Sequence, residues 1–429
     1  MTPVSGGSHS TLRAADEEIH QPPTGADALP ARTKLRTTRT PNVVRADREA
    51  PPRRKDFEMQ KTLIALGLAA ALTSFQAQAA DVTLYGLVDY GFSLQHRTPV
   101  QGESDTTFKM NSGMNSGSRF GLKGTEDLGN GMKVGFVLEN GFSADSGAMG
   151  QDGRLFGREA QVTLYGDFGQ VSFGRLGPVV GGNGTYALFG AAVSPFSCGW
   201  GDVGGHLQVT ALGYEFVDNT INYRTPDFGG FDVTAQYSLG TDAKNYGEGV
   251  EGKTTVERMG AIATRYRAAG LMVVAGVETI NWAQPAAGDT KLDDAMSLNL
   301  AGTYDFGVMK LYAYGQYFQD YQKAAKTTTF SVASGVDGFG INLGADVPAF
   351  GGTVKMGVGY GDFEGSRDSD LSMDTIQATL GFTYKLSPTT YMYTAGNFIK
   401  ANYSDKYEAA HPDAAERICE YIVGMVHKF

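Results

Sequence analysis

Apolar and polar residues alternate one by one through much of the chain. Met296, Leu298, Leu300, Gly302, Tyr304 and Phe306 fall on one face, and Ser297, Asn299, Ala301, Thr303 and Asp305 on the other. Ile376, Ala378, Leu380, Phe382, Tyr384 and Leu386 alternate in the same way with Gln377, Thr379, Gly381, Thr383 and Lys385. Segments 82–94, 231–239 and 354–360 repeat the pattern. A period of two marks a strand with two unlike faces. Short turns punctuate the segments: Asp127-Leu128-Gly129, Asp167-Phe168-Gly169, Asp227-Phe228-Gly229 and Asp305-Phe306-Gly307, with Ala269-Gly270, Phe350-Gly351 and Leu386-Ser387-Pro388 at comparable places. Asp bonds the backbone just ahead of it and Gly accepts positive φ, so these sequences close hairpins. One long gap aside, they recur about every 40 residues, the length of a strand pair with one short turn and one long loop. The seven turns imply eight longer loops and sixteen antiparallel strands, with both ends of the sheet on the short-turn side.

The second face decides what encloses these strands. Lys, Asp, Gln and Asn are spread across it in nearly every segment. The dry core of a soluble sandwich or propeller would leave those groups unsatisfied, whereas a water-filled lumen would not. Segments of about ten residues also have the length that a tilted strand needs to cross a bilayer. Aromatics near their ends, Tyr85, Tyr165, Tyr223, Tyr304 and Tyr384, stand where interfacial girdles sit. A slightly negative mean hydropathy is compatible with this, because only alternate residues need be apolar. The predicted fold class is all-β, a 16-stranded antiparallel transmembrane β-barrel.

Residues 1–58 are rich in Pro, Thr, Arg and Ala and lack apolar periodicity, so they form no core. Met59-Gln60-Lys61, an apolar run from Leu63 to Leu72 and Ala77-Gln78-Ala79 then make a secretory signal. This order points to a start at Met59, with 1–58 a mis-called upstream extension; a genuine N-terminal extension is the alternative. The expected organisation is 1–58 extension, 59–79 signal peptide and 80–429 barrel. Of 36 basic and 46 acidic residues, 11 and 8 precede residue 80, which leaves 25 against 38 and a net charge of −13. That balance argues against a nucleic-acid partner. Cys198 and Cys419 are far apart, nothing in their spacing supports a disulfide, and no metal-ligand cluster or cofactor motif is present.

The last strand places Tyr421, Val423, Met425, His427 and Phe429 on one face and stops on Phe429. This resembles the terminal signature by which outer-membrane barrels are recognised for assembly. The segments Val82-Thr83-Leu84-Tyr85-Gly86, 116–129 from Ser116 to Gly129, Gly153-Arg154-Leu155-Phe156-Gly157-Arg158-Glu159-Ala160, and 218–230 from Asp218 to Gly230 resemble the Gram-negative general porins, in their β-proteobacterial and neisserial branch. The resemblance covers essentially all of 80–429. It implies an integral outer-membrane protein, a homotrimer, contact with outer-membrane lipid and with the barrel-assembly machinery, and passive diffusion of ions and small hydrophilic solutes. It also implies that the third long loop folds into the lumen and narrows it.

The outsized gap between Gly169 and Asp227 holds that loop, a Gly-rich stretch from about Gly177 to Val217. Tyr186, Leu188, Phe189, Phe196 and Trp200 give it an apolar character that should not stay extended in water. The barrel lumen is the available surface, with an extracellular flap as the alternative. By the family resemblance, Arg119 and Arg158 match basic wall residues and Glu139 a lumen carboxylate. Lys123, Lys133 and Arg224 point inward by parity. Strict parity would turn Arg158 outward, so a bulge or strand end has to intervene. Phe216 stands where relatives often carry a third wall arginine, and Asp202 and Glu215 are the main acidic candidates on the loop. A weak transverse field is therefore expected. Parity turns Arg175 toward lipid, a costly place for a charge. Either a bulge at Gly174 redirects it or a neighbouring subunit covers it, which makes it a trimer-contact candidate.

Two other functions compete with a channel. A barrel enzyme needs a catalytic His near Ser or Asp. The histidines after residue 79 are His96, His206 and His411, expected in loops, and His427 on the terminal strand, with no nucleophile motif beside them. A purely structural or adhesive barrel needs neither polar inward faces nor the long third loop. The nearer alternative is a substrate-selective channel on the same fold.

Overall fold

The computed structural model describes residues 81–190, 193–247, 249–283 and 292–429. The extension 1–58 and the signal peptide 59–79 lie outside the described residues. The strands are β1 (Asp81–Pro99), β2 in two segments (Asp105–Ser112 and Arg119–Gly129), β3 (Met132–Gly141), β4 (Glu159–Gly166), β5 (Gly169–Leu176), β6 (Val217–Arg224), β7 (Phe231–Ser238) and β8 (Arg258–Ala268). They continue as β9 (Leu271–Asn281), β10 (Ala295–Asp305), β11 (Lys310–Tyr321), β12 (Val336–Ala349), β13 (Gly352–Gly365), β14 (Asp368–Lys385), β15 (Thr390–Tyr403) and β16 (Ala415–Lys428). Each pairs antiparallel with its neighbours in sequence, and β1 pairs with β16 through Leu87↔Lys428, Gly91↔Gly424 and His96↔Cys419. This is a closed sixteen-stranded barrel, and closure removes the sheet edges.

The turns work as their chemistry predicts. Asp127, Asp227 and Asp305 each accept a backbone N–H from a glycine two or three residues on, at 2.8, 2.6 and 2.7 Å. Gly129 and Gly307 have φ of 78° and 82°, the left-handed region that a side chain disfavours. One long connection proves short: only 366 and 367 separate β13 from β14. The ladder continues beyond the bilayer length in these two strands, so a tight hairpin replaces a loop, and loop lengths do not alternate strictly.

The two faces differ as the alternation requires. Leu298 and Leu300 are 45% and 60% exposed, while Ser297 and Asn299 between them are 0% and 4% exposed. Tyr223, Tyr304 and Tyr384 lie on the exposed face as girdle residues should. Tyr85 does not: it shares the inward face and donates its hydroxyl to Glu139. Tyr165 likewise shares the face of buried Thr163. His96 lies within β1 rather than in a loop.

The break in β2 was not apparent from the pattern. Residues 113–118 leave the ladder, and the N–H groups of Asn115 and Ser116 both donate to Asp89 Oδ2 at 2.6 Å. Tyr393 donates to Asp89 Oδ1 at 2.6 Å. Three donors thus hold one buried carboxylate, which fixes the excursion.

Candidate functional site

The site is built on the inner wall of β1 to β6 and on the third long loop, residues 177–216. Glu139 is its centre. Arg158 Nε reaches Glu139 Oε1 at 2.6 Å, Arg119 Nε stands 3.6 Å from Oε2, and Tyr85 donates to Oε2 at 3.0 Å. Lys123 Nζ lies 5.2 Å from the centroid of the Tyr85 ring. Arg158 faces inward because it precedes β4: its N–H bonds the Glu139 carbonyl, and the strand's parity begins only at Glu159.

Two cations lie over the Phe216 ring, with the Arg158 and Arg175 guanidinium carbons 4.9 and 5.9 Å from its centroid. Arg175 is not turned to lipid. The β5–β6 register slips after Gly174, whose φ is 129°, and the side chain swings in to donate to the Gly157 carbonyl at 2.7 Å and to Asp218 Oδ1 at 2.6 Å. The bulge, one of the two explanations expected for this arginine, accounts for it, and a covering subunit is not needed. Arg154 also binds Asp218, at 3.0 Å, so Arg154 and Asp218 belong to the site although parity and motif matching had not singled them out as charged partners. Arg224 lies apart, near the short-turn rim. It stacks on Tyr186 at 4.7 Å and donates to Thr234, within a group that contains Arg265, Arg267 and Asp232.

Of the two loop carboxylates expected to oppose wall cations, one meets a cation directly. Glu139 is itself a wall residue among the cations. Asp202 is held by Lys109 of β2 at 2.5 Å. Glu215 is exposed and accepts the Asn183 side-chain amide at 3.1 Å.

The loop packs against the face of the sheet opposite to the exposed apolar band. Leu188, Phe189 and Val193 are buried with Ala261, Ala263, Val274 and Tyr314. Phe196 and Trp200 are buried with Tyr393, Ala395 and Ile422. Glycines make room for them: a Cβ at Gly381 would stand 2.9 Å from Phe196 and 3.1 Å from Trp200, and one at Gly276 3.1 Å from Phe189. Polar wall side chains then bond the loop backbone. Glu159 accepts the Thr185 N–H at 2.7 Å, Gln236 the Val179 N–H at 3.0 Å and Gln316 the Ala211 N–H at 2.8 Å. Glu420 accepts the N–H groups of Asp202 and Val203. Part of the polarity that suggested water is therefore spent on peptide groups of the loop, whose burial would otherwise be costly. His206, on the loop, packs edge-on to Tyr314 at 5.2 Å between centroids, and burial pushes its pKa down to about 4.

The family model described as Gram-negative porin matches residues 64–404. The chain belongs to the Gram-negative porins. An outer membrane porin protein of Bordetella pertussis is 32% identical, in a match covering 80% of this chain and 94% of that protein. An outer membrane porin protein of Delftia acidovorans is 30% identical over 80% of this chain and 90% of its own. Among solved structures, the anion-selective porin from Comamonas acidovorans superposes with a TM-score of 0.60 at 26% identity, covering 82% of this chain and all of that one. This porin is accordingly an outer-membrane channel for passive diffusion.

Proposed function

We propose that this porin is a general diffusion channel for ions and small hydrophilic solutes, that its third loop narrows the lumen, and that it carries a modest preference for anions. The observation that carries the reading is the pairing of charges around the loop. Its carboxylate Asp202 is neutralised by Lys109, and Glu139 is shared by Arg158 and Arg119, while Lys123 has no carboxylate partner within the described residues. Two arginines share the single carboxylate Glu139, so the sign at this cluster is positive, and a low-dielectric wall focuses such a field. The Comamonas porin, described as anion-selective, agrees in sign. Assembly as a homotrimer and recognition of the terminal strand by the barrel-assembly machinery, with Tyr421 and Phe429 exposed, belong to the same reading.

Catalysis is not part of it. His96 and His427 bond Thr106 and Thr390 on exposed side chains, His411 stacks on Tyr407, and His206 is a buried residue of the loop itself. Among the described residues none of these histidines has a carboxylate partner to orient it. Planar-bilayer recording of the purified protein tests the proposal: large, weakly saturating currents in triplet steps support it, and a channel that saturates steeply with one solute class supports a substrate-selective channel instead.

A further inference from the structure

Strand β2 breaks beside Asp89. Leu87 pairs with Arg119 and Tyr90 with Ser112, so two residues of β1, Val88 and Asp89, stand opposite six of β2, 113–118. That surplus is larger than the single extra residue of an ordinary bulge, and the backbone leaves the ladder. Asp89 gathers it. Its carbonyl accepts the Gly113 N–H at 3.0 Å and the Ser118 hydroxyl at 3.1 Å, which closes both ends of the excursion. Its side chain takes two amides from the middle, those of Asn115 and Ser116, and the Tyr393 hydroxyl from β15. The carboxylate is fully buried and has no cation partner among the described residues. A buried charge of this kind is tolerated only while its N–H and O–H donors stay in place, so it fixes the segment that supplies them.

The excursion touches the wall arginines at one end and the third loop at the other. Arg119 follows it directly and donates Nη1 to the Gly117 carbonyl at 2.9 Å. Gly117 also lies against Arg158, since a Cβ there would stand 3.3 Å from Nη1. Met114 is buried with Phe196 and Trp200, and its carbonyl accepts the Gly201 N–H at 2.7 Å. Asn115 accepts the Tyr391 hydroxyl at 2.8 Å. We propose that Asp89 is a positioning residue for ion selectivity: through the excursion it sets where the Arg119 guanidinium stands in the lumen, although it meets no permeating ion itself. The proposal rests on the reading of Arg119 as a wall cation of the channel and not on the sign of the channel's preference. Position and charge predict opposite outcomes. A buried negative charge acting at a distance favours cations, so its removal alone would raise the permeability to chloride relative to potassium. Displacement of Arg119 lowers it.

The test is a double-mutant cycle of Asp89→Ala and Arg119→Gln in the full chain, read as the chloride-to-potassium permeability ratio in planar bilayers. Asp89→Ala should lower the ratio about twofold, the effect of one charge about 10 Å away in water. With Arg119 already replaced, the same substitution should leave the ratio where it is. Hydrogen exchange across 113–118 should accelerate in Asp89→Ala as the excursion is released. Heat-modifiable migration on gels reports the fold, and Asp89→Asn, of the same shape, serves for both readouts should the alanine protein not fold. A ratio that rises or stays constant in the Asp89 variant would show that position is not what Asp89 controls, and would overturn the proposal. An equal drop with and without Arg119 would show that Asp89 does not act through that arginine, and unchanged exchange that it does not hold the excursion; either result overturns it too. A parent channel that prefers cations would instead overturn the anion preference and leave the cycle valid, because the cycle compares ratios between variants.

Discussion

Glu420, on the inner wall of β16, accepts the backbone N–H of Asp202 with both carboxylate oxygens at 3.1 Å, and so ties the third loop to the wall near the strand that closes the barrel. The same carboxylate takes the Val203 N–H at 3.2 Å, Ser93 Oγ at 3.0 Å and Asn397 Nδ2 at 2.9 Å. Its lone pairs are thus filled by four separate donors from the loop and from two other strands. A Glu420→Ala protein leaves them unpaired at a cost of about 1–3 kcal/mol for each donor that water cannot reach. The expected outcome is an intact barrel with a loosened loop. Limited proteolysis within 195–205 and current noise should both rise while heat-modifiability is kept; a proteolysis pattern like that of the parent contradicts the anchoring role.

Glu139 is the one carboxylate that Arg158 and Arg119 share. Glu139→Gln removes a buried negative charge and leaves Arg158 without a counter-charge, which costs about 3–5 kcal/mol when a buried pair is broken. Two readouts follow. The unfolding temperature falls, and the reversal potential in a KCl gradient moves further in the anion direction. A shift toward cations would show that Glu139 does not govern the field at this wall.

The glycines under the loop should be intolerant of size. Gly381→Leu would push against Phe196 and Trp200, whose atoms lie 2.9 and 3.1 Å from the site of its Cβ. Overpacking of this kind costs about 1–3 kcal/mol, and here the loop rather than the ladder can yield. Single-channel conductance should therefore change in Gly381→Leu and stay at the parent value in Gly396→Leu, whose position is open on the outer face.

His206 makes loop docking depend on pH. The docked loop holds it neutral, with a pKa near 4, whereas the free side chain takes a proton near 6.5. The undocked state therefore binds more protons, and docking is stable above about 6.5, weakens as pH falls toward 4 and loses nothing more below that. Hydrogen exchange across 200–212 should accelerate between pH 6.5 and 4, and His206→Phe should flatten that dependence. Exchange rates with the same pH profile in both proteins, once intrinsic chemistry is subtracted, would exclude His206 as the cause.

The barrel was legible because its rules are local. Leu298 against Asn299 announces which side faces lipid, and Asp305 with Gly307 announces a hairpin. The constriction was legible only in part. Parity placed Arg119, Lys123 and Arg224 correctly, but it failed where the ladder is irregular. Arg158 lies just before a strand and Arg175 just after a glycine bulge, and one residue of slip reverses a face. Partners were harder still. Nothing in a polar residue at a wall position says whether it will meet water or a loop peptide group, so Glu159, Gln236, Gln316 and Glu420 read as lumen polarity although they hold the loop. Asp218 and Arg154 are 64 positions apart, and the successive pairing of β4, β5 and β6 brings them together.

Single-channel recording in a planar bilayer across a KCl gradient tests the central claim most directly. The account predicts stepwise openings, a current that saturates weakly with salt, and a modest reversal potential of the sign set by chloride. The absence of conductance, or a reversal potential close to that of an ideally selective membrane in either direction, would contradict it.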